Sequence, residues 1–433
     1  MPKKPNQFFK YLRFFICLMP IVLFSYQGEA DLLTDEASHL FAQSKESVFQ
    51  IRVIDLATGE KSSTGSGFYI SPQGHMATNY HVVSDYVFKP DKYRVTYIKN
   101  DGTTEDLKLV DIDVVHDLAL LVSAQKNEPY LKLGISIMPK GEKIFSMGNP
   151  HDLGMSIIEG TFNGVMENSM YRKILFSASL NPGMSGGPAM NHKGDVIGIN
   201  VSTQGNDVSF LIPVEFLRQL FERSQVVSEQ AVPPNWFAQM EESLVQNQNM
   251  FIDRLLLPGW QKLSLEGFLI PGEISDNIKC WGQTQDTEKT KISKVQTKCR
   301  SVDWIYLSND IVTFYFSYWF THHKSKKISS FRLYNHLQEN FDNSFSFENE
   351  DSDQYTKFQC STEFTEIAGQ SWKTAMCVRQ YKQFSRLYDV NLVISTVDKL
   401  NEGIVGGFVA MGVTREKGNE IMNKFMKEIE WKK

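Results

Sequence analysis

The sequence carries no basic surplus: 45 Lys and Arg stand against 50 Asp and Glu, for a net charge of −5. Nucleic-acid binders show a positive footprint, so a nucleic-acid partner is not expected. There is no internal repeat and no low-complexity tract. Beyond the N-terminal segment there is no apolar run near the roughly 20 residues that a membrane-spanning helix needs. Cysteine is scarce, with five in 433 residues, and one of them, Cys17, sits in that N-terminal segment. What is present, 42% hydrophobic and 22% charged residues, is the composition of a folded soluble protein rather than a disordered or collagenous one. The length exceeds one ordinary core and predicts two or three domains.

Lys3, Lys4, Lys10 and Arg13 precede an apolar run from Phe14 to Tyr26, and Gly28-Glu29-Ala30 closes the segment. A basic start, a short apolar middle and small residues at the end are the marks of a secretory signal peptide, here residues 1–30. The run is about a dozen residues, short of a bilayer span. The expectation is an exported chain, periplasmic or secreted, with no stable membrane span after cleavage. An uncleaved anchor is the alternative, because the aromatic stretch extends back to Phe8. Phe14-Phe15-Ile16 is a poor context for lipidation of Cys17. The four remaining cysteines, Cys280, Cys299, Cys360 and Cys377, all lie in the C-terminal half. An even number in an oxidising compartment reads as two disulfides. Of three possible pairings the local ones, Cys280–Cys299 and Cys360–Cys377, are favoured. A zinc site is the rival, but the close C-x2-4-C spacing is missing.

From about Val48 to Pro213 short strand-like runs alternate with turn chemistry such as Ser71-Pro72-Gln73-Gly74 and Asn191-His192-Lys193-Gly194. Strands are predicted at 49–54, 67–70, 93–98, 119–122, 143–147, 174–178 and 196–201, which argues for an all-β barrel or sandwich. Val214, Leu217, Leu220 and Phe221 recur at helical spacing and place a closing helix at 214–224. The first domain is thus 31–227. A polar boundary with Pro233-Pro234 follows, and then a helix on which Trp236, Met240, Leu244 and Phe251 share a face, so that 228–257 reads as linker and helix. Residues 258–433 read as an α+β domain of unknown fold, with strands at 311–318, 374–381 and 392–397 and helices at 331–341 and 417–431. Its aromatic stretches, 304–306 and 314–320, read as core.

Three motifs occur in the order His, Asp, Ser: Asn79-Tyr80-His81-Val82-Val83, His116-Asp117-Leu118-Ala119-Leu120-Leu121 and Asn181-Pro182-Gly183-Met184-Ser185-Gly186-Gly187-Pro188. A serine hydroxyl is nearly inert until a neighbouring base takes its proton. Histidine titrates near working pH and can accept and return that proton. A carboxylate on the other ring nitrogen sets the tautomer. Ser185 is the candidate nucleophile, His81 the base and Asp117 the orienting acid. Gly183 lets the chain turn so that its N–H and that of Ser185 address one spot, an oxyanion hole. Gly186 and Gly187 permit close backbone approach behind the nucleophile.

These motifs, with Thr64-Gly65-Ser66-Gly67-Phe68, Gly148-Asn149-Pro150, Gly194-Asp195-Val196-Ile197-Gly198-Ile199-Asn200 and Phe210-Leu211-Ile212-Pro213, resemble the trypsin-like serine proteases of chymotrypsin fold, in their HtrA/DegP-like branch. The resemblance spans about two-fifths of the chain, residues 45–225. It implies two six-stranded β-barrels with the site in the cleft between them, His81 and Asp117 from the first and Ser185 from the second. It also implies that Ser179, Val201 and Ser202 border the substrate. Two departures stand out. Met184 occupies the place before the nucleophile where relatives carry Asp or Asn; its N–H is a further candidate for the oxyanion hole. No convincing PDZ carboxylate loop follows, Gly267-Phe268-Leu269-Ile270 being the nearest stretch. With no acid at Ser179, a neutral pocket for small or medium aliphatic side chains is expected.

Other residues compete for these roles. His75 and His116 are rival bases, and Asp111 and Asp113 rival acids. His322-His323, among Lys324, Lys326 and Lys327, reads as a solvated loop rather than a metal site. Glu348, Glu350, Asp351 and Asp353 lack the glycine and final glutamate of a calcium loop. The function expected is a serine endopeptidase acting on protein or peptide substrates, unfolded exported proteins or one dedicated target, with no cofactor and no metal. The alternative is a protease-fold binding or chaperone-like module with little turnover. Oligomeric state is not legible.

Overall fold

The computed structural model describes residues 30–99, 101–166, 169–203, 207–227, 235–287, 291–344 and 352–431. The signal-like segment up to residue 29, the boundary at 228–234, and Glu348, Glu350 and Asp351 lie outside the described residues. A helix, α1 (Ala30–Ser44), leads into two closed antiparallel barrels of six strands each.

The first barrel is built from β1 (Val48–Asp55), β2 (Lys61–Tyr69), β3 (His75–Thr78), β4 (Tyr93–Ile98), β5 (Thr104–Asp113) and β6 (Leu118–Ser123), in the order β1-β2-β3-β6-β5-β4. The second comprises β7 (Lys143–Gly148), β8 (Ser156–Val165), β9 (Ile174–Ser177), β10 (Pro188–Met190), β11 (Val196–Thr203) and β12 (Ser209–Pro213), in the order β10-β11-β12-β9-β8-β7. Both close because their first and last strands in that order pair with each other, β1 with β4 and β10 with β7. One apolar cluster joins them: Val48, Phe68, Leu118 and Leu120 of the first meet Met147, Met190, Ile199 and Ile212 of the second. The closing helix α3 (Val214–Val227) adds Val214, Leu217 and Leu220 to that cluster, on the face its spacing predicts. At roughly 1.5–3 kcal/mol per fully buried large apolar side chain, this cluster is a main reason the barrels stay together.

Between β3 and β4 lies a helix that the strand pattern does not announce, α2 (Tyr80–Phe88). Its sequence is rich in β-branched Val82, Val83 and Val87, which favour strands in isolation. All three are buried in the core that α2 shares with the C-terminal region, so tertiary packing overrides propensity here.

After α4 (Trp236–Leu255) come the hairpin β13 (Lys262–Leu265) and β14 (Phe268–Pro271), then β15 (Ile278–Thr287), β16 (Ile292–Ser301), β17 (Ile305–Ser308), β18 (Ile311–Thr313), β19 (Phe316–Lys324) and α5 (Ser330–Asn343). The chain ends with β20 (Gln359–Ile367), β21 (Gln370–Gln380), β22 (Tyr388–Thr396), β23 (Glu402–Val413), α6 (Arg415–Lys427) and β24 (Glu430–Trp431). Seven strands form one open antiparallel sheet, β15-β16-β19-β23-β22-β21-β20. Alternate residues of β22 and β23 face opposite sides. Val393 and Val405 pack under Leu333, Leu337 and Phe341 of α5. Leu392, Ile404 and Phe408 belong instead to the core containing Met240 and Leu244 of α4 and Ile421 and Phe425 of α6. The region is α+β, and the helix assigned to the linker is part of its core.

Several expectations need correction. The single strand expected at 311–318 breaks at Phe314, whose φ is 59°, into β18 and β19. The Gly267–Ile270 stretch, from which no ligand loop was expected, has Phe268 buried in β14 and packed on Trp372 and Trp431. His322 and His323 are not solvated but buried in β19, with exposures of 1% and 0%. The His323 Nδ1 meets His336 Nε2 at 3.1 Å, and burial pushes its pKa down to about 3. Trp304, read as core, is 56% exposed. Disulfides join Cys280 to Cys299 and Cys360 to Cys377, the local pairing, each across directly opposed residues of one hairpin.

The sheet region docks on the barrels through the hairpin β17–β18. Tyr80 Oη of α2 donates to the Leu307 carbonyl at 2.7 Å. The buried Asp303 carboxylate accepts from Lys173 Nζ (2.6 Å), Ser169 Oγ (2.7 Å) and the Met170 N–H (2.9 Å) of the second barrel.

Candidate active site

His81 is the second residue of α2, and its backbone N–H is one of the helix's unpaired donors. No side-chain cap comes from Asn79; Asp117 supplies it, accepting the His81 N–H on Oδ1 at 2.8 Å. The other carboxylate oxygen, Oδ2, lies 2.7 Å from His81 Nδ1. One side chain therefore caps the helix and grips the imidazole. Asp117 itself sits at φ 54°, a left-handed conformation that Asp tolerates better than most residues. Its carbonyl is held by Asn79 Nδ2 (2.9 Å) and the Tyr80 N–H (3.1 Å). Burial pulls the His81 pKa down, but the charge and hydrogen bond of Asp117 outweigh it and leave the imidazole above its ordinary value. With Nδ1 engaged, Nε2 has no hydrogen-bond partner among the described residues.

Ser185 lies in the tight turn before β10, half-buried. Its hydroxyl donates to the Val201 carbonyl at 3.2 Å and does not bond His81. That carbonyl is available because the pairing of β11 with β12 slips between Asn200 and Ser202. The turn itself is fastened from both barrels. From the first, the Ser66 N–H donates to the Ser185 carbonyl (2.7 Å) and Ser66 Oγ to the Gly183 carbonyl (2.7 Å). From the second, fully buried Asn200 receives the Gly186 N–H on its carbonyl (2.9 Å) and donates Nδ2 to the Met184 carbonyl (3.2 Å). Gly183 has φ 96°, and a Cβ there would lie 2.4 Å from the Asn149 carbonyl oxygen. At Gly187 a Cβ would meet the Met147 carbonyl oxygen at 2.1 Å. Only glycine fits either place.

The three amides of the turn differ. That of Met184 is occupied, donating to the Asn181 carbonyl at 3.0 Å, and its side chain is buried in the second barrel. Met184 thus differs from its expected part in an oxyanion hole. The amides of Gly183 and Ser185 have no acceptor among the described residues. Ser179 Oγ donates to Asp207 Oδ1 at 2.8 Å and accepts the Asp207 N–H at 3.1 Å. An acid absent near Ser179 in sequence is therefore brought beside it from the loop before β12. Val201 contributes its carbonyl; Ser202 of β11 pairs with Phe210 of β12, and its side chain lies outside the described residues.

The rival residues have structural partners. His75 bonds Ser71 and packs on Phe221. His116 bonds Asp113 at 2.7 Å and stacks on Phe216. Asp111 forms a two-pronged pair with Arg223. Among the described residues no group of three or more His, Cys, Asp or Glu could hold a metal. Three contributors went unrecognised in sequence: Ser66, Asn200 and Tyr306. Ser66 and Asn200 sit inside motifs already singled out, Ser66 between two glycines and Asn200 two residues after Gly198. Tyr306, whose ring lies edge-on to His81 at 6.2 Å, arrives from the C-terminal region with no local signal.

Residues 65–199 match the family model of a trypsin-like peptidase domain. Serine protease HTRA1 of Xenopus tropicalis is 33% identical over 173 residues, 38% of this chain and 36% of that protein. A probable periplasmic DegP-like serine endoprotease of Pseudomonas putida is 37% identical over 166 residues, 36% of this chain and 34% of its own length. Protease Do-like 1, chloroplastic, of Arabidopsis thaliana is 33% identical over 187 residues, covering 40% of each. This chain thus spans well under half the length of these relatives. A serine endoprotease structure from Yersinia pestis superposes over 43% of this chain and 66% of that one at 25% identity, with a TM-score of 0.39, too loose to bear on any residue.

Proposed function

We propose, for a chain whose residues 65–199 are a trypsin-like peptidase domain similar to those of HtrA and DegP-like proteases, that it is a serine endopeptidase with Ser185 as nucleophile, His81 as base and Asp117 as orienting acid. The observation that carries the reading is the His81–Asp117 pair, with the tautomer set by 2.7 Å contact at Nδ1 and Nε2 left open. For this chemistry the Ser185 hydroxyl leaves the Val201 carbonyl and donates to Nε2. The oxygen then attacks a peptide carbonyl while His81 takes the proton. The oxyanion is received by the Gly183 and Ser185 amides, each worth about 3 kcal/mol of barrier. His81 returns the proton to the leaving amine, and water, activated by the same imidazole, hydrolyses the acyl-enzyme. No metal or organic cofactor takes part, so EDTA should leave activity unchanged.

The substrates are exported or unfolded polypeptides, bound as an added strand beside the cleft. Two disulfides fit an oxidising compartment, periplasmic or extracellular. Among the described residues no helix is long and apolar enough to cross a membrane. A second reading, a binding module with little turnover, draws on the Ser185 bond to Val201. Labelling with a fluorophosphonate and digestion of a disordered protein, beside Ser185→Ala, separate the two. The peptidase labels and cleaves only with Ser185 present. Absence of labelling in the native chain, or equal cleavage by the variant, rejects it.

A further inference from the structure

The segment leading into β17 alternates strictly. Asp303, Ile305 and Leu307 are 5%, 2% and 0% exposed and point into the docked interface. Their neighbours on the other side, Val302 and Trp304, are 38% and 56% exposed, and Tyr306 follows on the same side. Across the hairpin, Tyr306 is paired in register with Val312, itself 40% exposed. Three exposed apolar side chains and the partly buried Tyr306, which packs against the core, thus share one face, although isolated exposed apolar residues are the rule on soluble proteins. The face ends at the catalytic histidine: the Tyr306 ring stands 6.2 Å from that of His81, and its hydroxyl lies 3.3 Å from Ser84 Oγ one turn along α2. The Tyr306 hydroxyl also bonds Asn309 Oδ1 at 3.0 Å, and the hairpin is clamped to α2 by Tyr80 and Leu307, so the ring is held in place.

We infer that this face, Val302, Trp304, Tyr306 and Val312, is an aromatic wall of the substrate cleft, contributed by the C-terminal region and taking large apolar side chains close to the scissile bond. The inference rests on the peptidase reading above and deepens it. The occupant is the extended substrate chain, because the wall is continuous with the residue that must reach the scissile bond. From 302 to 306 an extended backbone covers about 13 Å, so the wall serves about four substrate residues. It selects by burial of apolar surface, without a charge or a hydrogen bond of its own. Selection of that kind separates a large apolar side chain from a small or charged one by about tenfold or more. The sheet region is then part of the substrate site as well as a support for it.

The test uses the full chain and internally quenched peptides with Leu or Phe, against Gly or Asp, at each of four positions on either side of the cleaved bond. The native chain should prefer the apolar peptides by about tenfold in kcat/KM at one or more of these positions. Trp304→Ala and Tyr306→Ala should collapse that ratio towards one, mainly through KM, and Tyr306→Phe should restore it. Phe364→Ala, at an exposed apolar residue of β20, serves as the control and should keep the ratio. Trp304 is exposed enough for its variant to fold. A native enzyme that labels with fluorophosphonate yet shows no such preference, or a Trp304→Ala enzyme that keeps it, overturns the wall and leaves the peptidase reading standing. Failure to label at all removes both. A Trp304→Ala chain whose preference is intact but which sediments as a smaller species assigns the face to self-association and also overturns the inference.

Discussion

The two barrels have no edges, and the seven-stranded sheet has two. Closure pairs every barrel strand on both sides, an apolar cluster joins the two barrels, and two small polar residues, Ser66 and Asn200, fasten the turn that carries Ser185. The sheet instead ends in β15 and β20, and each of these strands is cross-linked to its inner neighbour by a disulfide. Open edges invite fraying and mispairing, and β20 is exposed along most of its length. The difference teaches where each half keeps its order: the barrels in topology, the sheet in covalent chemistry that an oxidising compartment preserves.

On the proposed triad the bond-making groups all belong to the barrels, so activity should fail most severely when the barrel side is touched. Asp117→Asn is expected to lower kcat by about 10³–10⁴ through the wrong imidazole tautomer, with little change in fold. The pH profile adds a signed check. His81 must be neutral to act as base, so activity is lost as pH falls through its raised pKa. Without the carboxylate, burial alone remains, and the acid limb of kcat/KM should move to lower pH. An unmoved limb would detach Asp117 from the imidazole.

Next in size, replacing either cysteine pair by alanines should cost about 3 kcal/mol, as expected for loops of this length, with sequence separations of 19 and 17. Hydrogen exchange should then rise in the sheet and stay low in the barrels; equal loosening of both would erase the contrast. Asp303→Ala strikes the seam, stranding the donors of Ser169, Met170 and Lys173, and should cost about 2 kcal/mol in a denaturant titration. The smallest effect belongs to Asp207→Asn. If its carboxylate adds charge beside the pocket at Ser179, the ratio of cleavage after Lys or Arg to cleavage after Val should fall about threefold in a peptide library, a fraction of the tenfold steps that full pocket contacts command.

Much of the barrel region was legible because its signals are local. Strand β4 falls where the alternation of 93–98 puts it, and α3 begins at Val214 as its spacing requires. Asp117 is distinguished from Asp113 by the apolar strand that follows it. What escaped was non-local. The α2 helix opposes its own valines and exists because Asp117 caps it and the sheet region packs on it. Asp207 reaches Ser179 from 28 residues away. The buried pair His322–His323 looked like a loop because neighbouring lysines set the local polarity, whereas β19 is covered on both faces, by α5 on one side and the core of α6 on the other. The cysteine pairing was one of three until the hairpins put the partners face to face.

The double duty of the Asp117 carboxylate has a thermal consequence. Because it both caps the first turn of α2 and holds the imidazole, unwinding of that turn and, on the proposed triad, loss of the base become a single event. Catalysis on warming should therefore fade with a few local hydrogen bonds, reversibly and below the temperature at which the barrels come apart.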